Sequence, residues 1–441
     1  MTDPLLSYPL VTVIFVLVTM INSFLIFDES RYNWRRISTK KIAVYTSCIL
    51  YIAFAVILIQ IPDYSSDFLT NISFINFTKN GLYDFNYYAP AYLVFIDLFY
   101  PLLSFNNAIF VRVMNLGFFA ILQFLIYKIG VLVQEKNKSL DYKITFSLLS
   151  SSPFIILNVI LVEGIELFIT VVLVFGVFML LKNHAFLAGL IFGYLTMVQF
   201  TYFLYFIGLV WYISKKKNKK TILSLISGGI PVLAAFIVAF SFISYGYVLN
   251  SFGFNREYAL GLDSNIFSYP LLRSLPTNLN FLGIFLNLFV TSPFYKYGPP
   301  PNLLSLVLFL ICLIFLRGGS SSTKQLVDIF ILGFFFTIET SFFSLIVILS
   351  LVCIGTSYAK KNLKNFYINL NILYFLQMIL LYFQTLPENN PFYSLSQNSI
   401  VMYCFILLKI VYIDFTLFRI LRLSAPMKII ENSEVAIKIS A

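Results

Sequence analysis

Charge is scarce in this chain: only 11% of its 441 residues are Asp, Glu, Lys or Arg. A soluble surface needs roughly a quarter of its residues charged, so a soluble globular protein is excluded. Histidine is nearly absent too, with His184 the single copy. The four cysteines, Cys48, Cys312, Cys353 and Cys404, sit in or beside apolar runs without CxxC spacing. A Cys/His zinc site is thereby excluded, disulfides are not expected, and no metal or other cofactor is called for. No basic stretch precedes the apolar run from Leu10 to Phe27, so that run is expected to be a retained span rather than a cleaved signal.

What the chain has instead is hydrophobicity, at 59% of residues and a mean hydropathy of +0.88. Apolar runs of about 20 residues recur along its length, and the short alternating segments of a membrane barrel are missing. These features predict an all-α, polytopic transmembrane helical bundle of about 11–13 spans, some short or re-entrant. The whole of residues 1–441 reads as a single multi-spanning membrane domain. The net charge of +11 does not indicate nucleic-acid binding. Its basic residues lie in short clusters between spans, as cytosolic loops of membrane proteins do.

Placing those clusters on one side sets the expected topology. Spans are predicted at about Tyr8–Phe27, Ile42–Ile61, Ala108–Lys128, Phe146–Val162, Leu167–Leu181, Ile222–Val248, Leu303–Leu316, Tyr367–Phe383 and Ser399–Phe418. Residues 185–213 are predicted to be two short helices meeting near the lumenal side. A single span there would put Lys215–Lys220 on the wrong face of the membrane. Two further short helices are expected around Glu339-Thr340, with Arg317 to Lys324 as a preceding cytosolic loop. The N-terminus is then lumenal and the C-terminus cytosolic. Lumenal inserts fall at about 62–105, 249–301 and 385–398. Sequons at Asn71 and Asn76 in the first insert are glycosylation candidates.

That first insert carries Asp63, Asp67 and Asp84, and Asp97 interrupts the short apolar run that follows. A lumenal carboxylate at the end of an early helix suits the general base of a lipid-sugar-dependent glycosyltransferase. The plainer reading is that these acids cap helices or shape a solvated loop, since none is paired with another. Glu163 and Glu166 share a helix face and read as a cap at the water boundary before a cation or sugar site. Asp97 alone is thin support for a transporter. His184 reads as a solvated turn residue, which leaves no lumenal imidazole to activate a Ser or Cys nucleophile. Aromatic residues accompany amides in Tyr83-Asp84-Phe85-Asn86 and again in Asn389 to Tyr393. Stacking faces beside Asn donors and acceptors suit a sugar headgroup on a lipid; an aromatic belt at the membrane surface is the alternative.

Several of these stretches resemble the PIG-U family, the polytopic subunit of the glycosylphosphatidylinositol (GPI) transamidase. Gly81-Leu82-Tyr83 followed by Ala89-Pro90-Ala91-Tyr92-Leu93-Val94-Phe95 resembles the family's Ser-Pro-Tyr and Pro-Pro-Leu-Leu-Leu-X-Leu-Phe elements. Ser151-Ser152-Pro153-Phe154 is similar to its Asn-Pro region. Phe192 to Tyr202, with Gln199 and Tyr202, is similar to its Leu-Ala-X-Ala-Thr-Tyr-Gln-Ser-Leu-Tyr element. Leu275 to Asn280, with Asn278, matches part of a longer family segment but lacks its Trp and leading acid. Asn389-Asn390-Pro391-Phe392-Tyr393 resembles Asn-X-Asn-Phe-Tyr, with Pro391 in place of the second Asn.

The resemblance implies a non-catalytic subunit in the endoplasmic reticulum membrane. Its partners would be the GPI lipid, membrane lipids and the other transamidase subunits, including a cysteine-protease subunit that attaches GPI to protein C-termini. It also implies the membrane architecture of GT-C glycosyltransferases. Tyr83, Asp84, Asn86, Gln199, Tyr202, Asn278, Asn389, Phe392 and Tyr393 become the GPI-binding candidates, with no catalytic residue. The alternative is a dolichol-phosphate-mannose-dependent mannosyltransferase of GPI synthesis using Asp63, Asp67 or Asp84.

Overall fold

A helix pairs its own backbone amides within one segment, and the apolar runs among the described residues take that form. In this computed structural model the described residues are 108–136, 166–198, 201–215, 218–243, 301–316, 322–336, 389–393 and 399–422. Single helical positions are added at Leu17, Ile49, Ile52, Val56, Asn369, Ile372, Leu376, Ile379 and Phe383. The elements among them are all α-helical: α1 (Ala108–Lys136), α2 (Glu166–Leu181), α3 (Ala185–Val198), α4 (Thr201–Lys215), α5 (Lys219–Ile243), α6 (Pro301–Phe315), α7 (Ser322–Phe335) and α8 (Ser399–Arg422). Two of the described helices are long and apolar enough to cross a membrane, α1 over Arg112–Leu132 and α5 over Lys219–Phe242. By contrast α2, α3, α6 and α7 are short apolar helices. The 14 residues of α3 reach about 21 Å, short of the ~30 Å of a hydrocarbon core.

Local chemistry sets the ends of these elements. After α2 the Asn183 backbone turns left-handed at φ 66°. Its N–H donates to the Leu180 carbonyl at 3.0 Å, and the His184 N–H donates to that of Met179 at 2.9 Å. This is a Schellman stop, which satisfies the last carbonyls of α2 and sends the chain back as α3. Asn218 caps α5, its side-chain oxygen accepting from Thr221 N–H at 3.1 Å. Pro301 opens α6, where its missing N–H costs nothing.

Two boundaries differ from expectation. Lys324 belongs to the first turn of α7, which begins at Ser322 rather than after this lysine. Likewise α1 runs on to Lys136, past the expected end at Lys128.

The tightest crossing is between α3 and α5, and glycine makes it. A Cβ on Gly189 would collide with the Leu225 carbonyl, and one on Gly193 would lie 2.7 Å from the Gly229 carbonyl. From the other side, a Cβ on Gly228 would strike the Phe186 carbonyl. Gly189 and Gly193 form a GxxxG pair, the spacing that lets two membrane helices touch backbone to backbone. Pairing of residue 189 with 225, 193 with 229, and Tyr194 with Phe236 at 6.3 Å makes the two helices parallel.

Helix α4 folds back beside them. The Cβ position of Gly229 lies 3.2 Å from the Gly189 carbonyl and 2.6 Å from the tip of the Phe206 ring. Along a continuous helix residues 189 and 206 would stand about 25 Å apart, so the chain reverses between Val198 and Thr201. The expected pair of short helices over 185–213 is therefore present as a helical hairpin. On its far side α4 runs antiparallel to α7, with Gly208 against Ile329 and Tyr205 against Gly333. Helix α1 packs on α2, and α8 on α7. One buried apolar cluster extends from Phe119 of α1 through α2, α3, α4 and α7 to Leu417 of α8.

Candidate lipid-headgroup site

The best-formed of the sequence-predicted site elements is the turn Asn389–Tyr393. Asn390 acts as its cap: the side-chain oxygen accepts from Phe392 N–H at 2.9 Å and the carbonyl accepts from Tyr393 N–H at 3.0 Å. Pro391, at the first helical position, presets the backbone for that turn. The turn projects Phe392, which is 51% exposed, while one face of its ring stacks on Phe383 with centroids 4.8 Å apart at 24°. Asn389 is exposed beside it and Tyr393 is half-buried. An apolar ring face fixed in place next to an exposed amide offers a sugar ring both a stacking surface and hydrogen bonds.

Tyr202 is placed differently. It lies on α4 and is 7% exposed, its ring 6.0 Å from that of Tyr205. Tyr205 in turn stacks on Phe330 of α7 at 4.7 Å, above the space left by Gly333. This ladder of rings holds α4 to α7 within the apolar core. Glu166 opens α2, and His184 is exposed in the α2–α3 turn. Tyr83, Asp84, Asn86, Gln199 and Asn278 lie outside the described residues, as do Asn71, Asn76, Asp63, Asp67, Asp97 and Glu163. Of the sequence-predicted lipid-binding candidates, Tyr202, Asn389, Phe392 and Tyr393 are therefore the described ones.

Buried polar groups that sequence reasoning passed over stand out among the helices. On α1, Arg112 is 0% and Asn115 2% exposed, one turn apart on one face. Thr170 is buried on α2, the helix against which α1 packs. The side-chain oxygen of Asn115 is buried and accepts no hydrogen bond. On α7, Asp328 is 4% exposed within an otherwise apolar run. Ser305 of α6 donates its hydroxyl to the Phe336 carbonyl at the end of α7. A readable signal existed for these residues: an Arg, Asn or Asp inside an apolar helix is costly in lipid and faces the bundle interior. Among the described residues no group of three His, Cys, Asp or Glu side chains is placed to hold a metal.

No protein-family model matches the chain, and no curated protein matches it.

Proposed function

We propose that this protein is a multi-spanning, non-catalytic membrane subunit that holds the headgroup of a GPI lipid and presents it to a separate cysteine-protease subunit of a transamidase. In this reading the chain crosses the endoplasmic reticulum membrane about 11–13 times in a GT-C-like arrangement, with the Asn389–Tyr393 turn on the lumenal side. The observation that carries the proposal is the exposed Phe392 ring, braced by Phe383 and flanked by Asn389, in a turn whose shape Asn390 fixes. That is a surface for holding a sugar rather than for reacting with one. It coincides with the stretch similar to the PIG-U family.

The test is a double substitution, Asn389→Ala with Phe392→Ala, in cells carrying a GPI-anchored reporter. Loss of one stacking ring and one amide is worth about 1.5 kcal/mol, so GPI attachment is expected to fall roughly tenfold. Assembly of the complex is expected to persist, because both side chains are exposed. Purification in mild detergent that recovers no protease-like partner would sink the proposal. Accumulation of GPI intermediates lacking a mannose would transfer the chain to the mannosyltransferases.

A further inference from the structure

Residues 167 to 256 contain no Asp or Glu, yet this stretch holds Lys182, Lys215, Lys216, Lys217, Lys219 and Lys220. The fold gathers the described members of that set at one end of the bundle. The α2–α3 turn places Lys182 and His184 at the start of α3, and the Leu225 carbonyl of α5 lies against Gly189 of α3. Counting back from that contact, His184 is about 7.5 Å and Lys219 about 9 Å away along their parallel helices, so the two stand at the same level. Helix α4 runs the opposite way from the Phe206–Gly229 contact, which brings Lys215 at its C-terminus to this same end.

Lys182, Lys215, Lys219 and Lys220 are all exposed. Two of them are anchored at the boundary between apolar and polar surroundings. The Lys182 ammonium lies 5.1 Å from the centre of the Phe178 ring, and the Lys215 ammonium 5.1 Å from the Trp211 ring. An aliphatic stem laid along an apolar helix with its charge lifted to the surface is how lysine sits at a lipid headgroup region.

The placement of Lys219 and Lys220 adds a second argument. They occupy the first turn of α5, where the aligned peptide dipoles already leave positive charge, and no acid offsets it there. The first turn of α3 has no acid either. Lys182 and Lys215 stand at the C-terminal ends of α2 and α4, where the helix dipole favours a cation, whereas Lys219 and Lys220 add positive charge to an N-terminus that has no acid. Folding alone is poorly served at the Lys219–Lys220 end of α5, and an external anion offsets the charge there.

We infer that this end of α2–α5 is a docking surface for anionic phospholipid headgroups, such as phosphatidylserine, in the leaflet that surrounds it. The inference rests on the helices lying in a membrane and is independent of what the Asn389–Tyr393 turn binds. Lipid is the occupant the geometry favours over an acidic protein, because Phe178 and Trp211 hold the charges at the level where apolar helix surface ends.

The full-length protein, reconstituted in phosphatidylcholine vesicles, is tested with spin-labelled phosphatidylserine against spin-labelled phosphatidylcholine as boundary lipid. The wild type is expected to prefer phosphatidylserine, by on the order of fivefold for each lysine engaged, and to lose that preference as salt is raised. Replacing Lys182, Lys215, Lys219 and Lys220 together by Gln is expected to abolish the preference, and replacing them by Arg to keep it. All four are exposed, so the helices stay packed, as an unchanged thermal transition would verify. Equal association of the two lipids with the wild type overturns the inference, as does a preference that survives the four Gln substitutions. Inorganic phosphate that displaces phosphatidylserine at comparable concentration also overturns it, by turning the surface into a free-phosphate site.

Discussion

Two asparagines in this chain do opposite things for stability. Asn183 holds a left-handed backbone at φ 66° in the turn after α2, which a short polar side chain or glycine tolerates and a β-branched one does not. Asn183→Gly is expected to be neutral or slightly stabilising, whereas Asn183→Val is expected to cost about 1–2 kcal/mol. Thermal unfolding of the detergent-solubilised protein separates the two, and an unaffected Val variant would refute the role assigned to this turn. Asn115 by contrast buries a carbonyl oxygen that accepts no hydrogen bond. Leu is close to it in volume and has no polar group to desolvate, so Asn115→Leu is expected to raise stability by about 1 kcal/mol. A drop in stability instead would show that the Asn115 oxygen has a donor, such as a water. Its neighbour Arg112 is fully buried and does have a partner, so Arg112→Leu is expected to destabilise.

The α3–α5 crossing governs the next level, and here volume alone decides. Gly193→Leu introduces a side chain where even a Cβ lies 2.7 Å from the Gly229 carbonyl, so the helices must separate or the chain fails to accumulate. Gly117 of α1 has nothing within 4 Å of where a Cβ would stand, and Gly117→Ala is expected to be tolerated or to stabilise by up to about 1 kcal/mol. Expression level and thermal transition compare the pair directly; equal behaviour would remove glycine contact as the basis of the crossing. The same helices show what a sequence of this kind reveals. Run length and the position of lysines, read against the thickness of a bilayer and the positive-inside rule, were enough to place α2, the start of α8 and the reversal inside 185–213. The packed faces were much less legible. Helices that are apolar almost all round, as α2 and α3 are, carry little periodic signal, and the GxxxG pair of α3 is informative only once a partner is known. At the candidate site, the aromatic and amide pattern of Asn389–Tyr393 was readable from residue types. The burial of Tyr202 was not, since a tyrosine in an apolar tract reads equally as core or as binding surface.

At the scale of the molecule, the arrangement of helices makes a claim about sidedness. Parallel α3 and α5, with α4 reversed between Val198 and Thr201, force Lys182, Lys215 and Lys219 to one end of the bundle whatever the number of spans elsewhere. If that end is cytosolic, as the positive-inside rule expects of its lysines, a turn at Asn389 that holds a lumenal headgroup would lie across the membrane from it. The prediction is tested with single cysteines, Lys182→Cys, Lys220→Cys and Asn389→Cys, in a chain whose four native cysteines are alanine. All three positions are exposed, so a membrane-impermeant maleimide reaches each one wherever its side of the membrane is open. In sealed, right-side-out microsomes the first two are expected to react at once and the third only after detergent is added. Lys182→Cys and Lys220→Cys reacting on different sides would break the α3–α5 pairing itself. Asn389→Cys reacting together with them would leave the pairing intact and place the turn in the cytosol. That outcome would end the proposal that the turn holds a lumenal GPI headgroup, while leaving the anionic-lipid surface standing.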